Sequence, residues 1–165
     1  MLDAAALIKK HRGKGVLVDT NLLVLFLVGL VNPRRIGTFK RTESFLVDDF
    51  ELLRSLISHF GPRLLATPHI WSQVSDLTDL KGEELMRVRS LMRDLVERSE
   101  EHFDAARGLV SHPVFNRLGL ADAGIAAAQS TEVLILTADF PLYEALQQHG
   151  IESLNFNHVR PLGWR

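Results

Sequence analysis

Cysteine is absent from all 165 residues. Disulfides and thiolate metal sites are therefore excluded, and a reducing cytoplasm is the expected location. An excess of one charge is also missing: 19 Lys and Arg stand against 20 Asp and Glu, a net charge of -1 at pH 7. No whole-molecule field draws this chain to nucleic acid, so any such site must be a local basic patch on a near-neutral body. Aromatic residues are sparse at 7%, yet apolar residues reach 46%, which fills a core and argues against disorder. The apolar run from Val16 to Val31 is shorter than the roughly 20 residues of a membrane span, and Asp19 and Asn21 interrupt it. The opening "MLDAAALIKKHRGKG" lacks the charged-then-apolar order of a secretory signal. No internal repeat occurs. Neither "GxxxxGK[ST]" nor "GxSxG" is present, so P-loop and α/β-hydrolase chemistry have no support. The length suits one domain, residues 1–165, with a sizeable core.

What is present alternates between strand and helix signals. Residues 3–12 read as a short helix with a basic end, followed by a turn bracketed by Gly13 and Gly15. "VLV" (16–18) is a β-branched apolar run of the kind buried on both faces of a parallel sheet. Thr20 is placed to cap a buried helix carrying Leu22, Leu23, Leu25, Phe26 and Leu30. Residues 31–45 read as a loop. Helices are expected over 47–60, 69–80 and 83–98, the last continuing through 100–107, and strands over 63–67, 133–137 and "IESLNF". A small-residue helix, "DAGIAAAQS", follows Gly119, and "DFPLYEALQQHG" is a helix closed by Gly150. This order predicts an α/β class: a three-layer α/β/α sandwich around a mostly parallel sheet, with a helical insertion. The apolar face of 83–98 fits either the body or a partner. Trp71, Phe156 and Trp164 are assigned to core or edge packing.

Three carboxylates take matching local positions. Asp19 ends the first strand, Asp139 follows the strand "VLILT", and Asp122 sits where a helix begins. In open parallel sheets, ligands bind outside the carboxyl ends of the strands. Each acid taken singly reads as a helix cap or a dipole partner. As a set they point to one acidic pocket. An oxygen-rich, cysteine-free set suits Mg²⁺ or Mn²⁺, which complete their shells with water and substrate phosphate.

"VLVDTNLLV", "LGLADAGIAAA" and "LILTADFPLYEAL" together resemble the PIN-domain family of metal-dependent ribonucleases, from about residue 15 to residue 155. The resemblance implies an acidic pocket holding one or two Mg²⁺ or Mn²⁺ ions and hydrolysis of RNA phosphodiesters by metal-activated water. It implies Asp19, Asp122 and Asp139 as catalytic metal ligands, Asn21 orienting Asp19 by a hydrogen bond, and the Thr137 hydroxyl lining the pocket. Many family members are toxins inhibited by a small antitoxin partner, and a homodimer is a further expectation by analogy.

One position departs from the family pattern. A Glu is expected on the helix after the second strand, and this chain has Gln73. Losing one negative charge beside a divalent ion weakens the site by several kcal/mol before relaxation compensates. Asp76, three residues on, stands on the same helix face and offers a displaced carboxylate; Asp79 lies further along. A non-enzymatic RNA-binding or scaffold protein on the same fold is therefore the alternative. A receiver-type phosphate switch fits less well, since "LLAT" ends without an acid and no Lys follows the last strand. The loop "PRRIGTFKR" supplies Arg34, Arg35, Lys40 and Arg41 for RNA phosphates and Phe39 as a base-stacking platform. Lys9, Lys10, His11, Arg12 and Lys14 approach from the opposite end and read as a solvated face. His69 and His112, each beside a Pro, read as structural.

Overall fold

The computed structural model describes residues 3–160; Trp164 lies outside them. The described chain runs α1 (Ala4–Lys10), β1 (Val16–Val18), α2 (Thr20–Val31), a 3-10 turn (Pro33–Arg35), α3 (Val47–Phe60), β2 (Leu64–Ala66), α4 (Pro68–Leu77) and α5 (Gly82–Arg98). It continues with β3 (Glu100–Glu101), α6 (Ala106–Leu109), α7 (Phe115–Leu118), α8 (Leu120–Ala127), a 3-10 turn (Ala128–Thr131), β4 (Leu134–Thr137), α9 (Phe140–Gln148), β5 (Ser153–Asn155) and α10 (Phe156–Val159).

Five strands form one all-parallel sheet in the order β3-β2-β1-β4-β5. This is an α/β fold consistent with the PIN-like arrangement expected from the sequence. Val16, Leu17 and Val18 are all fully buried, although successive side chains leave a strand on opposite faces. Both faces of the sheet centre are therefore covered by helices. From β1 the chain moves outward through β2 to β3, and from β4 it moves the other way to β5. The direction reverses between β1 and β4, so the crevice above their carboxyl ends is the switch point where open sheets hold ligands.

The helices are set by their caps. Asp3, Thr67 and Asp139 each accept a backbone N–H three residues on, at 2.7, 3.1 and 2.8 Å. Thr20 is not the cap of α2: Asp19 takes that place, its Oδ1 accepting from the Leu22 amide at 3.1 Å, and Thr20 becomes the first helical residue. The α2 helix is buried nearly all round, with Leu22, Leu23, Leu25, Leu27 and Val28 inaccessible. On α5, Val88 is buried, and Leu85, Leu91, Met92, Leu95 and Val96 pack against the core, so its apolar face meets the body. Trp71 and Phe156 are core residues, as expected.

The expected helix over 100–107 is instead an edge strand, a turn and the short α6. Leu65 pairs in register with Glu100 and Ala66 with Glu101, and the His102 amide donates to the Ala66 carbonyl at 2.9 Å. Two exposed glutamates carry no apolar periodicity, so the pairing follows from the neighbouring strand rather than from local preference. The basic cluster before β1 is also not wholly a solvated face. His11 is buried, with Nε2 2.7 Å from Glu152, which Lys10 also pairs.

Gly29 marks a close approach of α2 to the Phe50 ring of α3. A Cβ there would stand 2.3 Å from Cδ2 of the buried Phe50 ring. Gly29→Ala is expected to lower stability by about 1–3 kcal/mol, the usual cost of overpacking a core. Urea unfolding checks this, and an unchanged midpoint would mean that the two helices separate freely.

Candidate active site

The carboxyl edge of the sheet opens into a cleft of about 640 Å³ lined by all three sequence-selected acids, Asp19, Asp122 and Asp139. Strand direction delivers two of them: Asp19 leaves β1 and Asp139 follows β4. Asp122 arrives in the first turn of α8. Gln73 and Asp76 of α4 and Thr20 and Asn21 of α2 complete the polar wall. Leu77, Leu118, Leu120, Ile125 and Leu142 form an apolar wall. No Lys, Arg or His lines the cleft among the described residues.

Asp19 is the best-held acid. It is 4% exposed. Its Oδ2 accepts from the Thr137 hydroxyl and from the Ala138 amide at 3.1 Å, while Oδ1 caps α2. The Thr137 oxygen in turn accepts from the Asp139 amide at 2.9 Å. Thr137 is fully buried and stands behind Asp19 rather than in the cleft wall, because its hydroxyl is spent on that carboxylate. Asn21 does not orient Asp19: its side chain points to solvent and the cleft, and backbone amides together with Thr137 do the orienting.

The other acids are freer. Asp139 Oδ1 caps α9, which leaves Oδ2 unengaged. Asp122 is half-buried and accepts no hydrogen bond from any described residue, so it is not a cap. Burial raises the Asp19 pKa to about 6 against the lowering effect of its three donors, with the Asp139 charge adding to the rise. Asp122 is likewise raised to about 6, first by burial and then by the charges of Asp139 and Asp19. Asp19 and Asp122 thus both sense the charge of Asp139, and among the described residues no cation lines the cleft to compensate.

The donor set fits a hard divalent ion. Every free donor is oxygen, and Mg²⁺ commonly takes one or two protein carboxylates with water filling the rest. Among the described residues, no group of three or more His, Cys, Asp or Glu side chains is placed to hold a metal ion by itself. The fit is therefore to a water-rich site in which Asp122 and Asp139 carry the oxygens without protein donors.

Gln73 stands on the cleft wall, its Oε1 accepting from the Thr20 hydroxyl at 2.7 Å. Asp76 also reaches the wall and is exposed. The five residues selected for RNA contact, Arg34, Arg35, Phe39, Lys40 and Arg41, do not line the cleft. Arg35 pairs with Glu84 of α5 at 2.8 Å, and Phe39 packs against the core, which removes it as a free stacking platform. Arg34, Lys40 and Arg41 remain exposed. His112 Nδ1 accepts from the Val114 amide at 3.2 Å, a structural role as expected. The sequence reading missed the Thr20–Gln73 bond, for which only the cleft position of Thr20 beside Asp19 gave a hint. It also missed the leucine-rich wall, whose members read as ordinary core. Among the described residues, no helix is long and apolar enough to cross a membrane. Compared with protein families, curated proteins and solved structures, the chain matches none.

The uncompensated charge of Asp122 has a stability consequence. Its folded pKa lies above the unfolded value of about 4, so the folded state binds more protons between about pH 4 and 6. Its contribution to stability is therefore present below about pH 4 and lost as pH rises through about 6. Taken at face value the cost above pH 6 is about 3 kcal/mol, and solvent screening of a half-buried group reduces this to about 1 kcal/mol. Asp122→Asn in EDTA is expected to be more stable than wild type by about 1 kcal/mol at pH 8, with the gap closing near pH 4. Urea unfolding at both pH values measures it, and equal stabilities at pH 8 would contradict the electrostatic account.

Proposed function

We propose that this protein is a metal-dependent endoribonuclease, of the PIN-like type its sequence resembles, which hydrolyses RNA phosphodiester bonds in the cleft above β1 and β4. One observation carries the reading: Asp19, Asp122 and Asp139, brought by three separate segments, line a single open cleft in which, among the described residues, no Lys, Arg or His stands. When bound there, Mg²⁺ or Mn²⁺ supplies an activated water and neutralises charge on the phosphate.

The chain's own residues have distinct parts in this. Asp122 and Asp139 offer carboxylate oxygens that no described donor engages. Asp19 is fixed by Thr137, Ala138 and Leu22, so its charge stays in place when the cleft fills. Above pH 6 both perturbed acids are mainly ionised and ready for a cation. Leu77, Leu118 and Leu120, half-buried at the cleft, give a surface against which a ribose or base excludes water. Exposed Arg34, Lys40 and Arg41 lie outside the cleft wall and are offered to the phosphates of a longer RNA. The choice of RNA over DNA rests on the resemblance.

Gln73 favours a second reading, a protein that binds RNA on this fold without cutting it. The two separate by assay. Purified protein with Mn²⁺ is expected to cleave a single-stranded RNA, and EDTA to stop it. Asp139→Asn, which keeps a side chain able to cap α9, should slow cleavage by at least about a hundredfold. RNA binding with no Mn²⁺-dependent cleavage would favour the second reading.

A further inference from the structure

The cleft has two chemically different sides. Asp19, Asp122 and Asp139 stand together where β1, α8 and β4 meet, and Thr20, Asn21 and Gln73 form a neutral wall at the start of α2 and along α4. On that wall the Thr20 hydroxyl donates to Gln73 Oε1 at 2.7 Å. A carboxamide whose oxygen is taken turns two N–H donors outward, and the Gln73 amide nitrogen donates to no described residue. The reverse orientation would turn the carboxamide oxygen into a cleft that three carboxylates line, which electrostatics disfavours. A hydrogen-bond donor cannot ligate a cation, but it does bind an anion. The one charge on the same helix face, Asp76, lies a turn away and is exposed to solvent.

We propose that Gln73 is a substrate-binding residue, held by Thr20 as its positioning residue, and that its carboxamide N–H donates to a phosphate oxygen of the RNA chain. This rests on the nuclease reading above and deepens it. The α4 wall takes substrate, and the cation is confined to the side of Asp122 and Asp139. A neutral donor also avoids adding a fourth negative charge against an incoming phosphodiester.

The test pairs calorimetric titration with MnCl₂ and steady-state cleavage of a single-stranded RNA in saturating Mn²⁺. Gln73→Leu is expected to leave Mn²⁺ affinity unchanged and to raise KM about tenfold, with kcat altered much less. Gln73→Glu should tighten Mn²⁺ binding while also raising KM. Thr20→Val should raise KM severalfold, and the Thr20→Val, Gln73→Leu double variant should be no worse than Gln73→Leu alone. Gln73 is exposed, so its variants are expected to fold, and thermal unfolding of each variant checks this. Weakened Mn²⁺ binding in Gln73→Leu, an unchanged KM, or additive effects in the double variant would each overturn the proposal while leaving the nuclease reading intact. Wild type that neither binds Mn²⁺ nor cleaves RNA would overturn both.

Discussion

The architecture of the cleft depends on one buried carboxylate. Asp19 closes the end of β1, caps α2 through one oxygen, and gathers the Thr137 hydroxyl and Ala138 amide from the end of β4 through the other. It therefore joins the two central strands at the point where the sheet changes direction. Three donors compensate a charge that burial alone would strongly disfavour, and they do so incompletely, since its pKa still rises to about 6. Thr137 couples the arrangement further by accepting from the Asp139 amide, so the positions of the first and last acids are set by one hydroxyl. The cap reading and the functional reading of Asp19 are thus not rivals. A side chain fixed as a cap is a pre-organised one, and pre-organisation is what a cation site needs.

Much of this was legible in the sequence because strong local signals coincided with tertiary ones. "VLV" and "VLILT" are β-branched runs that only a doubly covered sheet accommodates, and the acids that follow them must emerge at its carboxyl edge. Helix α3 was readable from residue 47 to residue 60 by its apolar spacing, and β5 as an edge strand. The opposite case is β3. Its two glutamates hold strand geometry because β2 offers backbone partners and Arg63 offers charge to Glu100 at 2.6 Å. No pattern within residues 100–101 encodes that. His11 shows the same limit: a histidine in a basic run reads as solvated until Glu152, 141 residues later, folds against it.

At the candidate site the acids were legible and their partners were not. Position after a strand is a property of the local chain, so Asp19 and Asp139 could be chosen without coordinates. Which side chain holds them is a property of packing. The family resemblance implies an orienting role for Asn21 and a place in the pocket wall for Thr137. In the fold Asn21 faces outward, and Thr137 is buried behind the carboxylate it supports. The basic loop likewise had the right composition but answered to nearer partners. Glu84 took Arg35, and the core took Phe39.

The two edges of the sheet supply the strongest internal control for reading the cleft as functional. At the amino edge two strand-entry acids are paired: Glu152 with Lys10 and His11, and Glu100 with Arg63. Both carboxyl groups are held below the usual range, chiefly by hydrogen bonds from those partners. At the carboxyl edge the same sheet leaves Asp19 and Asp122 raised, beside Asp139, with no described Lys, Arg or His in the wall. A fold that pairs its acids so readily at one edge has the basic residues to do it at the other, with Arg34, Lys40 and Arg41 left exposed elsewhere. Selection for stability alone would move a cation into the cleft or remove a carboxylate, since buried like charges cost free energy. Retained repulsion at the switch point is what the proposed cation, which is not part of the chain, would offset.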